Sequence, residues 1–403
     1  MSPARLEQRP TPGRVGDVRK QNLALVLGRV LPGVPTTRAQ LAVETGLTKA
    51  SVSSLVADLL ESGLLTEVGI TRDGERGRPG VGLALNPLRG ALGAEVNVDY
   101  LAVGVVDLNG KVHFQETVER HSSGSEPREV LAALELLAGR TAAAAARDGI
   151  VLLGGGLAVP GLVDPDKNFV ATAPNLGWSG VELSEELGAL LPNSPFRVTL
   201  SNEANSASLA ELWYGQGSSF RAYLYVSGEV GVGGGLIIDS QLFTGPTGYA
   251  GEIGHMVVHP KGPSCSCGGH GCLETFAGQE AVFSAAGIDS GPTGERMALL
   301  LAALADGDAR ALAAVEQAGH YLGVATASTA RLINISAVVL GGHFAVLEDW
   351  IRPALRRSLD EFAPGLVPED GVAFSQLRQT AALMGAAGSC LRRILASPQS
   401  LVP

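Results

Sequence analysis

The chain is short of aromatic residues and of charge. Of 403 residues, 5% are Phe, Trp or Tyr and 17% are charged, while 45% are apolar. Disorder needs the reverse, low hydrophobicity with high charge, so this composition predicts a folded chain with an Ala-, Val-, Leu- and Gly-rich core. No apolar run reaches about 18 uninterrupted residues, which argues against a membrane span. The N-terminus has no apolar stretch of the kind a secretory signal requires: Arg5, Glu7, Arg9 and Arg14 stand among three prolines. A soluble cytoplasmic protein is the expectation. Cysteine is scarce too. Three of the four, Cys265, Cys267 and Cys272, fall within eight residues and Cys390 lies far away, which is no disulfide framework.

What is there has a marked asymmetry. The net charge is -10, yet residues 1–89 hold 12 Lys+Arg against 8 Asp+Glu, and the remainder holds 18 against 32. One end is suited to a polyanion while the rest avoids it. At about 100–200 residues per domain, two or three domains are expected.

From Asp17 to Ile70 the apolar spacing predicts three short helices, with Leu23, Val26, Leu27 and Val30 on one face of the first. The second runs from about Thr37 to Thr45 and stops at Gly46. The third starts after Thr48 as N-cap and aligns Val52, Leu55, Val56, Leu59 and Leu60. Two helices joined by a tight turn containing Gly form a helix-turn-helix, and the strand-like segments 64–68 and 81–85 around a charged, Gly-rich tip form a wing. The start of the second of these helices, Thr48, Lys49, Ala50, Ser51 and Ser53, is the part expected to reach a major groove, with Arg38 suited to a phosphate or a guanine. Arg76 and Arg78, flanking Gly77 at the wing tip, suit a narrow minor groove. The partner implied is a double-stranded DNA operator read by a homodimer or homotetramer, because a palindromic site needs two copies.

Asn86-Pro87 marks a boundary. Beyond it, residues 91–98, 101–108 and 111–118 read as hairpin strands, 126–147 as a helix, 150–159 as a buried strand and 203–213 as a helix. Strands at 221–226 and 233–239, helices after Leu273 and over 309–332, and a strand at 337–340 complete the pattern. Hairpins followed by alternating strands and helices, twice over, predict an α/β fold of two lobes with a cleft between them. The resulting division is a flexible arm over 1–16, a winged helix-turn-helix over 17–88 and a two-lobed domain over 89–403. The lobes are expected at about 89–200 plus the C-terminal helix, and at about 201–384.

Cys265, Cys267 and Cys272 on a glycine-rich loop can wrap a tetrahedral ion. His255, His259 and His270 are all near enough to supply a fourth ligand, and spacing does not choose among them. A filled Cys3His shell leaves no open position, so the metal, one zinc ion per chain, is expected to be structural.

The residues Gly156-Leu-Ala-Val-Pro-Gly161, Pro174-Asn-Leu-Gly-Trp178, Ser201-Asn-Glu-Ala-Asn205, Gly231-Val-Gly-Gly-Gly235, Ala250-Gly-Glu-Ile-Gly-His255, Cys265–Glu274 and Val339-Leu-Gly-Gly-His343 resemble the ROK family of repressors, open reading frames and sugar kinases. The resemblance implies an actin-like, ribonuclease-H-type fold, a sugar in the cleft, and His255 as the fourth zinc ligand. It also implies sugar contacts from Asn175, Asn202, Glu203, Glu252, His255 and Glu274, with Gly161 at the pocket edge. The N-terminal module is similar to that of the family's sugar-responsive repressors. Family kinases have an Asp-x-Gly-Gly-Thr type loop after the first strand and Gly-Thr before the second glycine run; this chain has Glu95-Val-Asn-Val-Asp99 and Glu229-Val230. Glu203 stands where those kinases use Asp as base. These departures predict a sugar sensor without catalysis, most readily a repressor of carbohydrate-metabolism genes, with an ATP-dependent sugar kinase fused to a DNA-binding module as the alternative.

Overall fold

The computed structural model describes residues 15–71 and 80–402. The chain divides into two compact units: the N-terminal segment as far as Arg89 together with Leu391–Pro403, and Gly90–Cys390.

In the first unit the helices are α1 (Val15–Leu27), α2 (Arg38–Thr45) and α3 (Lys49–Glu61). Strands β1 (Thr36–Thr37), β2 (Leu65–Thr71) and β3 (Gly80–Leu85) make an antiparallel sheet with β3 in the middle. Local chemistry sets the helix ends. Thr37 accepts the backbone N–H of Gln40 while the Gln40 side chain accepts that of Thr37, a reciprocal capping box. Gly46 then ends α2 at φ 71°, left-handed backbone that a residue with a Cβ rarely adopts. Thr48 accepts the Ser51 N–H at 3.1 Å and opens α3. Leu41, Val52, Leu55, Val56 and Leu59 are buried between the helices. The two-residue β1 was not anticipated, since it is too short to carry an alternating pattern. The C-terminus differs from the expected division: Leu391, Ile394 and Pro398 are buried and the turn at Pro398–Ser400 packs on α1, so residues after 390 group here. Arg76, Arg78 and the expected arm over 1–16, apart from its last two residues, lie outside the described residues.

In the second unit β4 (Arg89–Val96), β5 (Tyr100–Asp107) and β6 (Val112–Glu119) form a meander, followed by α4 (Pro127–Arg147) and β7 (Val151–Val159). A small sheet of β8 (Leu162–Asp164), β9 (Phe169–Ala173) and β10 (Trp178–Glu182) leads through α5 (Ser184–Leu190) to β11 (Val198–Asn202), which runs parallel to β7. Next come α6 (Glu203–Tyr214), β12 (Tyr223–Gly228), β13 (Val232–Ile238) and β14 (Gln241–Phe243), then α7 (Glu274–Ala277), α8 (Gln279–Ala286), α9 (Thr293–Ala305) and α10 (Ala309–Ile333). The rest is β15 (Val338–Gly342), α11 (His343–Val346), α12 (Glu348–Phe362), β16 (Val372–Phe374) and α13 (Ala381–Ala396).

The five-stranded sheets run β11-β7-β4-β5-β6 and β14-β13-β12-β15-β16. Taken from β6 in the first and from β14 in the second, both read third, second, first, fourth, fifth in order of appearance, so one plan occurs twice. That is the two-lobed α/β architecture expected from the hairpin-then-crossover pattern, in the actin-like form that the family resemblance implies. Each lobe has its own core, one around Leu92, Val103, Leu134 and Leu157, the other around Val226, Phe283, Leu322 and Leu340. No helix among the described residues is long and apolar enough to cross a membrane.

Close approach holds the second lobe together. A Cβ on Gly323 of α10 would lie 2.4 Å from the Ser358 Cβ and 3.0 Å from the Leu355 carbonyl of α12. Gly323→Leu forces the two helices apart and should destabilise the fold by about 1–3 kcal/mol, seen as a lower thermal midpoint with an unchanged far-UV spectrum.

Candidate functional site

The cleft is built where both meanders turn. The β4–β5 turn presents Asn97, the β12–β13 turn presents Glu229 and Gly231, and the start of α6 presents Asn202 and Glu203; all of these line one cavity. The same cavity receives Asn175, Glu252, His255 and Glu274. The structure therefore brings together every residue named as a sugar contact from the sequence, with Gly161 at the rim.

Several of these side chains are already committed. Asn202 caps α6, its Oδ1 accepting the Asn205 N–H at 2.9 Å, and its Nδ2 donates to the Gly161 carbonyl at 2.8 Å. One amide hydrogen and one lone pair remain for a ligand. Glu274 accepts the Val232 N–H at 3.2 Å and the Ser266 hydroxyl at 3.3 Å. Gly231 allows this, because a Cβ there would stand 2.2 Å from Glu274 Oε2.

Beside the cavity, one ligand atom from each of His255, Cys265, Cys267 and Cys272 lies within 4.8 Å of all the others, a cluster that could hold a metal ion. His255 Nδ1 is 3.6 Å from Cys265 Sγ, and Cys267 Sγ is 3.7 Å from Cys272 Sγ. Geometry thus selects His255 from the three histidines that spacing left open. His259 instead meets the rings of Phe276 and Tyr321, and His270 Nδ1 turns to the Gly269 carbonyl. Burial, followed by the neighbouring thiols, pushes the Cys272 thiol up to about 12. A dication among them reverses that preference and favours thiolates. The second nitrogen of His255, Nε2, lies 4.0 Å from Glu252 in the cavity wall.

The floor of the cleft holds a feature that sequence reasoning found only in part. Glu95, 1% exposed at the end of β4, accepts the Tyr100 hydroxyl at 2.7 Å through Oε1, while its Oε2 has no hydrogen-bond partner. Burial and then the Glu203 charge push its carboxyl up to about 8, against the lowering effect of Tyr100 and Asn97. Burial takes Glu203 up to about 7. Glu229 lies well above the usual carboxylate range, from burial first and then from Glu203, Glu95 and Asp99. Among the described residues no Lys, Arg or His comes within 4.0 Å of these three carboxyls. Residues 95 and 229 stood out in the sequence as carboxylates at phosphate loops; their convergence on Glu203 needs the fold. At the β4–β5 turn Thr293 of α9 donates to Asp99 at 2.7 Å, a link from one lobe to the other.

In the first unit, Thr48, Lys49, Ala50, Ser51 and Ser53 are exposed along the start of α3. Thr48 and Ser51 bond each other at 2.9 Å as part of the cap. Arg38, which the sequence suits to a phosphate or a guanine, forms an ion pair with Glu67 of β2 at 3.0 Å.

The profile of the ROK family matches residues 91–392. The chain belongs to the ROK family. A Bacillus subtilis (strain 168) protein named xylose repressor is 32% identical over 324 residues, 80% of this chain and 82% of the relative. A crystal structure of a ROK family transcriptional regulator, described as a homolog of the E. coli MLC protein, superposes with a TM-score of 0.77 at 25% identity, covering 95% of this chain and 98% of that one. A Streptomyces griseus ROK glucokinase in complex with glucose and AMPPNP superposes with a TM-score of 0.64 at 26% identity. That alignment takes in 98% of the kinase and 74% of this chain, so this ROK protein carries a further quarter that the kinase lacks.

Two measurements probe the site. The purified chain should carry about one metal ion, by elemental analysis, and Cys272→Ser should abolish it and lower the thermal midpoint. The second follows from linkage. Glu95 binds its proton more tightly folded than unfolded, so the stability from this group is complete below about pH 4.3 and is lost as the pH rises through about 8. Glu95→Gln should flatten that decline in melting curves and leave the variant more stable than the parent at pH 8.

Proposed function

We propose that the protein is a sugar-responsive DNA-binding repressor whose kinase-like body binds a sugar and has no phosphoryl-transfer activity. The observation that carries the reading is the set of three carboxyls, Glu95, Glu203 and Glu229, at the end of the cleft formed by the two meander turns. A polyphosphate brought there can be met only while these carboxyls keep their protons, and each one that ionises adds a like-charge contact that near 4 Å costs on the order of 4 kcal/mol at an effective dielectric of 20. Glu203 is longer than the Asp of the kinase pattern, and a shift of about 1 Å in a base can lower a rate roughly a hundredfold. The repressor name of the B. subtilis relative and the regulator superposed over nearly the whole chain support the same reading.

In this proposal Asn175, Asn202, Glu252, His255 and Glu274 contact sugar hydroxyls, because carboxylates accept hydroxyl hydrogens and amides both give and accept. The Cys3His cluster holds structural zinc. Ligand atoms of tetrahedral zinc with bonds near 2.3 Å stand about 3.8 Å apart, which the 3.6 and 3.7 Å separations match. With zinc on Nδ1, His255 keeps Nε2 for the ligand, and Glu274 ties the metal loop to the glycine turn, so metal and sugar sites are coupled. The α2–α3 pair reads an operator as a dimer, with Lys49 and the exposed first turn of α3 toward the DNA and Arg76 and Arg78 in the minor groove.

Gel-shift titration on a palindromic operator tests this. Binding should shift about 5- to 150-fold with the cognate sugar, and Lys49→Ala should weaken binding and reduce the salt slope by about 1. Purified protein should not phosphorylate glucose with ATP. Operator affinity that no sugar alters, or ATP turnover abolished by Glu203→Ala, would overturn the reading.

A further inference from the structure

The carboxyls that repel phosphate must themselves be accommodated. Glu203 and Glu229 line the cavity, and Glu95 lies behind them with an unpartnered, fully buried Oε2. Neither Glu203 nor Glu229 has a side-chain hydrogen bond among the described residues. The cavity lining contains no Lys or Arg. A neutral sugar offers hydroxyl donors but no charge, so it leaves three mutually repelling acids uncompensated. An ammonium group offers three donors and the missing charge together.

Resting on the reading of the cleft as a sugar site, we propose that its ligand is a cationic sugar, an amino-deoxy sugar with a free ammonium seated against Glu203 and Glu229, which line the cavity in front of the buried Glu95. A bare metal ion fits less well. Among the described residues only the His255 and cysteine cluster brings its ligand atoms within 4.8 Å of one another, so the three glutamates are not gathered into a cage. Glu203 and Glu229 line a space that a larger body enters, and Asn175 and Asn202 line it with them. The groups facing the three acids include Tyr100, Tyr225, Asn97 and Asp99, none of them cationic; Asp99 is held by Thr293 and lies 3.5 Å from His121. An ammonium entering this set displaces the protons the acids retain.

The test is calorimetric titration of the full chain with D-glucose, D-xylose, N-acetyl-D-glucosamine, the 2-, 3- and 6-amino-deoxy glucoses, and magnesium chloride alone. The same series is run on Glu229→Gln and Glu203→Gln, with melting curves to establish folding. One free-amine sugar is expected to bind at least about tenfold more tightly than glucose and than N-acetyl-D-glucosamine, and Glu229→Gln should remove most of that advantage while neutral sugars bind as well or better. Neutral sugars binding as tightly as every amine would overturn the charge assignment and leave the sugar site standing. No binding by any sugar would overturn both. An amine advantage unchanged in both folded variants, or magnesium binding lost in them, would likewise sink the proposal.

Discussion

One carboxylate joins the parts of the site. Glu274 accepts the Val232 N–H of the β12–β13 turn and the Ser266 hydroxyl of the cysteine loop, and its approach depends on the missing Cβ at Gly231. The turn, the metal loop and the cavity wall therefore have one shared geometry. A shift in any of them is felt by the others, because a half-buried carboxylate that loses one donor is left with a poorly compensated lone pair.

The duplicated sheet plan explains why those parts meet. Each lobe opens with a meander whose first turn comes to the cleft, and each then crosses over to parallel strands. The β4–β5 turn and the β12–β13 turn are thus equivalent places in two copies of one design. Acids at both, Glu95 and Glu229, converge on Glu203 at the start of α6.

Much of this was legible in the residues. Local signals located the capped helices: Thr37 with Gln40, Gly46 and Thr48 act over three or four positions. Alternation and turn chemistry located the meander, with Asp107 accepting the Asn109 and Lys111 N–H groups at the turn. Long-range geometry was not legible. The small β8–β10 sheet has short, half-buried strands with no clear alternation, and β1 pairs with a strand more than forty residues away. Spacing did not choose His255 over His259 and His270, the family resemblance did, and the cluster agrees with it; the pairing of Arg38 with Glu67 needed the fold. The return of the C-terminus to α1 carries no local signal at all.

The bond from Thr293 to Asp99 sets a threshold on motion. It joins the β4–β5 turn of one lobe to α9 of the other, and a hydrogen bond to a charged group is worth about 1.5–3 kcal/mol. Spreading the lobes must first break it, which biases the resting population toward the shut form by roughly 10- to 150-fold. A weakly held visitor leaves that balance where it was; only a guest whose grip differs between the two forms by more than this latch is worth can tip it.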